Sequence, residues 1–309
     1  MRRISAIKRT AIIILGLACA AEIAVRLSGI LDFPTYQVDA DLGYFVKPNQ
    51  SGRFLNKNPW AFNDRGMPIG ENWNPQPRPN LLLIGNSIIM GGNAYPQQDK
   101  VGPLLQRELG ESIAVWPTAV GGWSDENEAA YLEHNPDIVS ANAFFVWEVM
   151  KGGLGGISTW RSDYVFPRAK PLCGSCYVVR RYLLPRLFNL HESELPPDAP
   201  AVARSVARVE SMVSALCAAS RAATHGVLLL YPQQSDLAVA RRGVEWLPER
   251  REFERIAGKY GLRVVDLAQQ SGWDEAKYRD GTHPTAEANV FLAHVIAEAV
   301  KTSFDPANP

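Results

Sequence analysis

Five short apolar runs, set apart by helix-length stretches, constrain this chain more than any other feature. Leu81, Leu82, Leu83 and Ile84 form an unbroken apolar run, the pattern of a strand covered on both faces. Similar runs lie at 112–116, 137–146, 226–231 and 262–267. Helical patterns fall between and after them, at 103–109, 125–133, 203–223, 248–260 and 284–300. Pro284 is suited to open the last helix as its first residue. Strands alternating with helices predict a parallel sheet with helices on both faces. The expected class is therefore α/β, a three-layer α/β/α domain with a central parallel sheet of five strands, spanning residues 80–305.

A chain of 309 residues accommodates such a domain with extensions. Hydrophobic residues at 46 % and charged residues at 21 % supply an ordinary core and exclude wholesale disorder. Lys+Arg and Asp+Glu are 32 each, for a net charge of zero. Without a basic stripe the chain is a poor partner for nucleic acid, whose phosphates need clustered Lys and Arg. Four cysteines do not make a disulfide scaffold in a chain this long. Cys19 lies in the N-terminal apolar run and Cys217 in a helical pattern. Cys173 and Cys176 form a lone CGSC. With no second pair and no histidine cluster nearby, it reads as a local disulfide or two inert thiols, not a zinc site. No metal or cofactor is expected.

Arg2, Arg3, Lys8 and Arg9 precede an apolar run from Ala11 to Ala21, which Glu22 interrupts. Basic residues ahead of a short apolar run fit a signal peptide, or an uncleaved membrane anchor over 1–28 with its basic end in the cytoplasm. Either reading exports the rest of the chain, to the periplasmic side of the inner membrane. Cleavage is compatible with Ala20 or Ala21. A lipid on Cys19 is disfavoured by Gly16, where a branched aliphatic residue is preferred. Residues 29–79 are rich in Pro, Asn and Gly with scattered aromatics, and predict an irregular or short-stranded extension lying on the core. Residues 150–200 form a long insertion with the aromatics Trp160, Tyr164 and Phe166, the CGSC and a Pro-rich tail at 195–200. A connection of this length in a compact domain is usually functional or disordered. Its aromatics favour an ordered lid or rim.

The chemistry concentrates in two places. Gly85-Asn86-Ser87 follows the first strand, and ligands in open α/β sheets bind outside the carboxyl ends of strands. Ser87 there is either a nucleophile or a helix cap, with the next helix offering its N-terminal N–H groups. Far along the chain, Asp280 precedes His283 by three residues, just ahead of the last helix. A serine hydroxyl needs a base, and the base needs a partner that fixes its tautomer. His283 and Asp280 supply both from one loop. His134, His191, His225 and His294 lack such a setting and read as surface or core residues.

Ser87 after the first strand and the late 280–283 block together resemble the SGNH (GDSL-like) hydrolase family. The family carries Gly-Asp-Ser at this point; here Asn86 replaces the Asp. Its glycine after the second strand, a backbone oxyanion donor, matches Gly122. Its Gly-x-Asn-Asp segment after the third strand is missing. Trp147 stands in for the oxyanion Asn and Glu148 for the Asp, and the Trp147 indole either donates or only walls the pocket. The segment 42–49 is similar to the N-terminal extension of membrane-anchored bacterial members. The resemblance implies a shallow active site and serine-catalysed cleavage of esters or thioesters. Catalysis would fall to Ser87, His283 and Asp280, and the oxyanion to the N–H groups of Ser87 and Gly122, with Trp147 as a candidate third donor.

With export, the expected substrate is a small-molecule or polysaccharide ester, with an O-acyl group, acetyl foremost, on an envelope or secreted glycan. The acyl group passes to water or to a sugar hydroxyl. Trp123, Trp160 and Tyr164 are either packing residues or platforms for sugar rings. The rival reading is a catalytically silent glycan-binding or scaffolding module on the same fold, for which the missing Asn speaks.

Overall fold

In the computed structural model, residues 2–188, 199–220 and 224–303 are described. His191 and most of the Pro-rich tail at 195–200 lie outside them. The chain begins with helix α1 (Arg2–Leu27), then two antiparallel hairpins, β1 (Tyr36–Asp39) with β2 (Gly43–Val46) and β3 (Gln50–Phe54) with β4 (Asn58–Phe62). The main domain follows as β5 (Asn80–Gly85), α2 (Ser87–Met90), α3 (Val101–Leu109), β6 (Ala114–Ala119), α4 (Asp125–His134), α5 (Pro136–Ser140) and β7 (Asn142–Val149). Next come α6 (Gly174–Val178), a π-helical turn (Val179–Leu183) and α7 (Leu184–Phe188). The chain then runs α8 (Ala199–Ala219), β8 (Gly226–Leu230), α9 (Gln234–Ala240), α10 (Arg250–Tyr260), β9 (Arg263–Asp266) and α11 (Ala286–Ser303).

The five main strands pair in the order β6-β5-β7-β8-β9, all parallel. Strand β5 is buried along its whole length, as its unbroken apolar run requires. Helix α3 packs on α11, while α8 packs on α4, α5 and α10. The α/β class, three layers and five strands expected from the sequence are those observed. Chain order reverses on either side of β5, so the crevice at its carboxyl end is the natural place for a ligand.

Several boundaries differ from expectation for local reasons. Residues 137–146 were expected as one strand, but Pro136 at the first helical turn starts α5, and the strand begins at Asn142. Ile138 is fully buried as a helix residue. Strand β6 starts later than expected and runs through Pro117. A residue without an N–H is tolerated there because β6 is an edge strand. The last helix begins at Ala286, not at Pro284, because Pro284 pairs with Tyr278 in an isolated bridge and the Thr285 hydroxyl caps the Ala288 N–H at 3.1 Å. Helix α9 was not anticipated.

The N-terminal hairpins lie on the domain through their aromatics. Phe45 faces Trp123 and Tyr131 at 6.1 and 5.5 Å between ring centres. Within α1, Lys8–Leu27 is a 20-residue apolar segment of mean hydropathy 2.0, and none of it is buried. Its last turns touch the insertion. Glu22 accepts the N–H groups of Gly174 and Ser175 at 2.9 and 2.8 Å, and Arg26 donates to the Leu172 carbonyl at 2.6 Å. Cys173 and Cys176 are joined as a disulfide at this contact.

Candidate active site

Strand β5 ends at Gly85, and Asn86 turns the chain into the single-turn helix α2. The cap of that helix is Asn86, whose side chain accepts from the Ile88 N–H at 3.1 Å. Ser87 is thereby relieved of the capping role open to it from the sequence. A helix of one turn also offers little dipole, so the N-terminal donors expected of it reduce to the Ser87 N–H itself.

The 280–283 loop comes to Ser87 from the other end of the chain. His283 Nε2 lies 3.0 Å from Ser87 Oγ. On the other side of the ring, His283 Nδ1 is 3.0 and 3.1 Å from the two Asp280 oxygens. The loop is folded around this contact. Asp280 Oδ1 accepts the His283 backbone N–H at 2.9 Å, and Arg279 N–H donates to the His283 carbonyl at 2.9 Å. Tyr231 Oη holds the Thr282 carbonyl at 2.8 Å, and Tyr95 Oη donates to the Pro284 carbonyl. Partial burial raises the Asp280 carboxyl. The hydrogen bonds from His283 and the nearby Arg279 charge outweigh burial and hold it below the ordinary carboxylate range. An ionised Asp280 keeps the proton on Nδ1 and leaves Nε2 as the acceptor toward Ser87.

Gly122 has φ +80°, and a Cβ there would lie 2.7 Å from Tyr44 Oη and 3.0 Å from Phe166 Cζ. Both conformation and space require glycine. Ser87, Gly122 and His283 line one open cleft of about 420 Å³. Among the described residues, neither the Ser87 nor the Gly122 N–H donates to a protein acceptor.

Trp147 does not join them. Its side chain is fully buried, and its indole N–H donates to Glu128 Oε2 at 2.6 Å. This corrects the expectation of a third donor: on β7 the indole turns into the layer of α4, away from the cleft. For Trp123, Trp160 and Tyr164, the contacts are those of the packing reading and not of sugar platforms in this cleft. Trp123 donates to the Tyr44 carbonyl and Trp160 to the Phe166 carbonyl, both at 2.9 Å. Tyr164 lies beneath Arg180, 4.0 Å from ring centre to guanidinium. The aromatics of the cleft are Phe33, Tyr36, Phe166, Tyr177 and Tyr182. All come from the extension and the insertion; Phe166 is the one among them that the aromatic rim expected of the insertion includes.

One supporting residue was placed by alignment alone. Glu148, fully buried, accepts from the Asn86 backbone N–H at 3.3 Å and faces the Asn86 amide at 3.5 Å. Burial pushes its carboxyl up to about 8, against the Asn86 hydrogen bonds. Burial also raises Asp125 and Glu128 well above the ordinary range, each reinforced by neighbouring carboxyls. No group of three or more metal-ligating side chains is placed to hold an ion among the described residues.

No protein-family model and no curated protein matches the chain. It is similar to several solved structures. A crystal structure of TesA aligns with a TM-score of 0.44 and 17 % identity, over 73 % of this chain and 99 % of that one. A lipase/acylhydrolase from Enterococcus faecalis gives 0.44 and 15 %, over 74 % and 98 %. Est24, a carbohydrate acetylesterase from Sinorhizobium meliloti, gives 0.43 and 14 %, over 74 % and 100 %. At these identities and scores, the chemistry of the site stands on its own residues.

Proposed function

We propose that this chain is an exported serine ester hydrolase of the SGNH type, acting on an O-acyl group of an envelope or secreted polysaccharide. One observation carries the reading: His283 stands 3.0 Å from Ser87 Oγ on one ring nitrogen and 3.0 Å from Asp280 on the other. That relay is what a serine nucleophile needs, and it joins residues 196 positions apart.

In this mechanism His283 Nε2 takes the Ser87 proton as Oγ attacks the ester carbonyl. The Ser87 and Gly122 N–H groups receive the oxyanion. Collapse breaks the ester bond, and the departing sugar oxygen takes the proton from His283. Water, deprotonated by His283, then attacks the acyl carbonyl and releases the acid and Ser87. A second sugar hydroxyl in place of water makes the same enzyme an acyltransferase. The open cleft suits a small acyl group on a large alcohol. Helix α1 supports export, and its contacts through Glu22 and Arg26 with the insertion favour a retained anchor.

A fluorophosphonate probe tests the reading. Covalent capture that disappears in Ser87→Ala supports an activated serine. Absence of capture in the folded parent protein overturns it in favour of a silent glycan-binding module.

A further inference from the structure

Positive charge collects in the cleft beside Ser87. Arg161, Arg181 and Arg279 line it, and among the described residues no aspartate or glutamate does, although the whole chain balances 32 Lys+Arg against 32 Asp+Glu. Arg279 is committed: its Nε pairs with Asp280 at 3.2 Å, and its guanidinium lies 5.3 Å over the Tyr95 ring.

Arg181 stands differently. It is half-buried and close enough to Tyr36, Tyr177 and Tyr182 for its charge to act on all three phenols. Its side chain hydrogen-bonds the Tyr182 phenol, and among the described residues it forms no ion pair. A guanidinium among phenols, with no carboxylate among the described residues to neutralise it, brings its charge to the cleft wall. Its backbone sits in the π-helical turn Val179–Leu183. Such turns recur at functional sites because the extra residue re-aims the side chains that follow. Here Arg181 and Tyr182 both reach the cleft.

Aromatic rings form much of the remaining lining. Tyr177 stacks on Phe33 at 5.1 Å, and Phe166 on Tyr44 at 4.2 Å. Ring faces and phenols beside guanidinium suit a sugar with polar edges and an anionic group. A long acyl chain would require an apolar tunnel.

We propose that the cleft selects an anionic substrate, an O-acylated sugar bearing a carboxylate, with the acyl carbonyl at Ser87 and the carboxylate at Arg181. The ester half of this inference rests on the Ser87 reading; the anion half does not.

The test uses the full chain and a matched pair, an O-acetylated methyl glucuronide and the corresponding methyl glucoside, which differ only in the carboxylate. The glucuronide is expected to show a kcat/KM higher by about tenfold or more, the worth of a charge-assisted contact. The ratio should fall toward one in Arg181→Gln, return in part in Arg181→Lys, and shrink in about 0.5 M salt. Equal kcat/KM for the two sugars, in protein that turns over p-nitrophenyl acetate, overturns the anion site and leaves the serine reading standing. A preference for acetyl-CoA over the glucuronide also overturns it, since the anion would then be a phosphate. If no ester is hydrolysed, the serine reading fails, and calorimetry with the same two sugars decides the anion site alone. Tighter, Arg181-dependent binding of the glucuronide upholds it, and equal binding overturns it.

Discussion

Glu148, at the end of β7, accepts the backbone N–H of Asn86, at the end of β5, across 3.3 Å. The Asn86 amide reaches both ways, its Nδ2 facing Glu148 Oε1 at 3.5 Å and its Oδ1 capping the Ile88 N–H at 3.1 Å. Ser87 lies between these two contacts. The neighbouring strand, not the turn alone, therefore sets where the hydroxyl stands. An aspartate at position 86 would confront Glu148 with a second acid, whereas an amide donates to it.

This pairing has a pH signature. Glu148 holds its proton up to about pH 8 in the folded protein, against an ordinary value of 4.5. Between these values the unfolded chain has lost a proton that the native state keeps. Stability therefore falls as pH rises from about 4.5 to about 8, then levels off. Glu148→Gln removes the ionisation. Its melting temperature should exceed that of the parent at pH 8, by a stability gain of at most about 5 kcal/mol, and the gain should shrink toward pH 5. Asp125 and Glu128, shifted in the same direction, keep a residual slope. Thermal melts across this range check the sign; a gain equal at pH 5 and pH 8 would contradict it.

Ser87→Ala and His283→Ala should each lower turnover of an aryl acetate by about 10³-fold or more, and the double variant should be little worse than either, because the relay acts as a unit. Both side chains are partly exposed in the cleft, so circular dichroism and melting temperature should stay near the parent values. Substantial residual turnover in either variant would remove the assignment.

Gly122→Ala forces a Cβ within 2.7 Å of Tyr44 Oη at a backbone φ of +80°. The backbone must shift, and its N–H with it. Losing an oxyanion donor costs about 10²–10³ in turnover, and the strained conformation about 1 kcal/mol or more of stability. Steady-state kinetics and a denaturant titration measure the two effects separately.

Trp147→Phe should behave in the opposite way. The indole N–H serves the buried Glu128, which is left without that donor. Stability should drop by about 1–3 kcal/mol, while kcat changes by less than about threefold. A loss near 10²-fold, the size of an oxyanion donor, would restore Trp147 to the site.

The full chain should sediment with membranes and resist carbonate extraction, as expected of a 20-residue segment of mean hydropathy 2.0 with none of its residues buried. A chain starting at Ser28 should be soluble. Release by carbonate would overturn the anchor, and a released protein lacking residues 1–20 or 1–21 would identify a cleaved leader.

The local pattern of the chain determined the architecture. An unbroken run such as Leu81 to Ile84 is stable only between two layers, so the parallel sheet and its helices could be read directly. Ser87, Asp280 and His283 were readable because each sits in a short motif at an element boundary. What they do together depends on a contact spanning 196 residues, which periodicity cannot report. Trp147 shows the limit most clearly. Alignment by strand end placed it at the oxyanion, but on a strand the facing direction alternates with each residue, and the indole found Glu128 in the opposite layer. The cleft walls, Phe33, Tyr36, Tyr177, Arg181 and Tyr182, come from an extension and an insertion without regular period. Their positions follow from how those segments pack on the domain, and only the tertiary structure decides that.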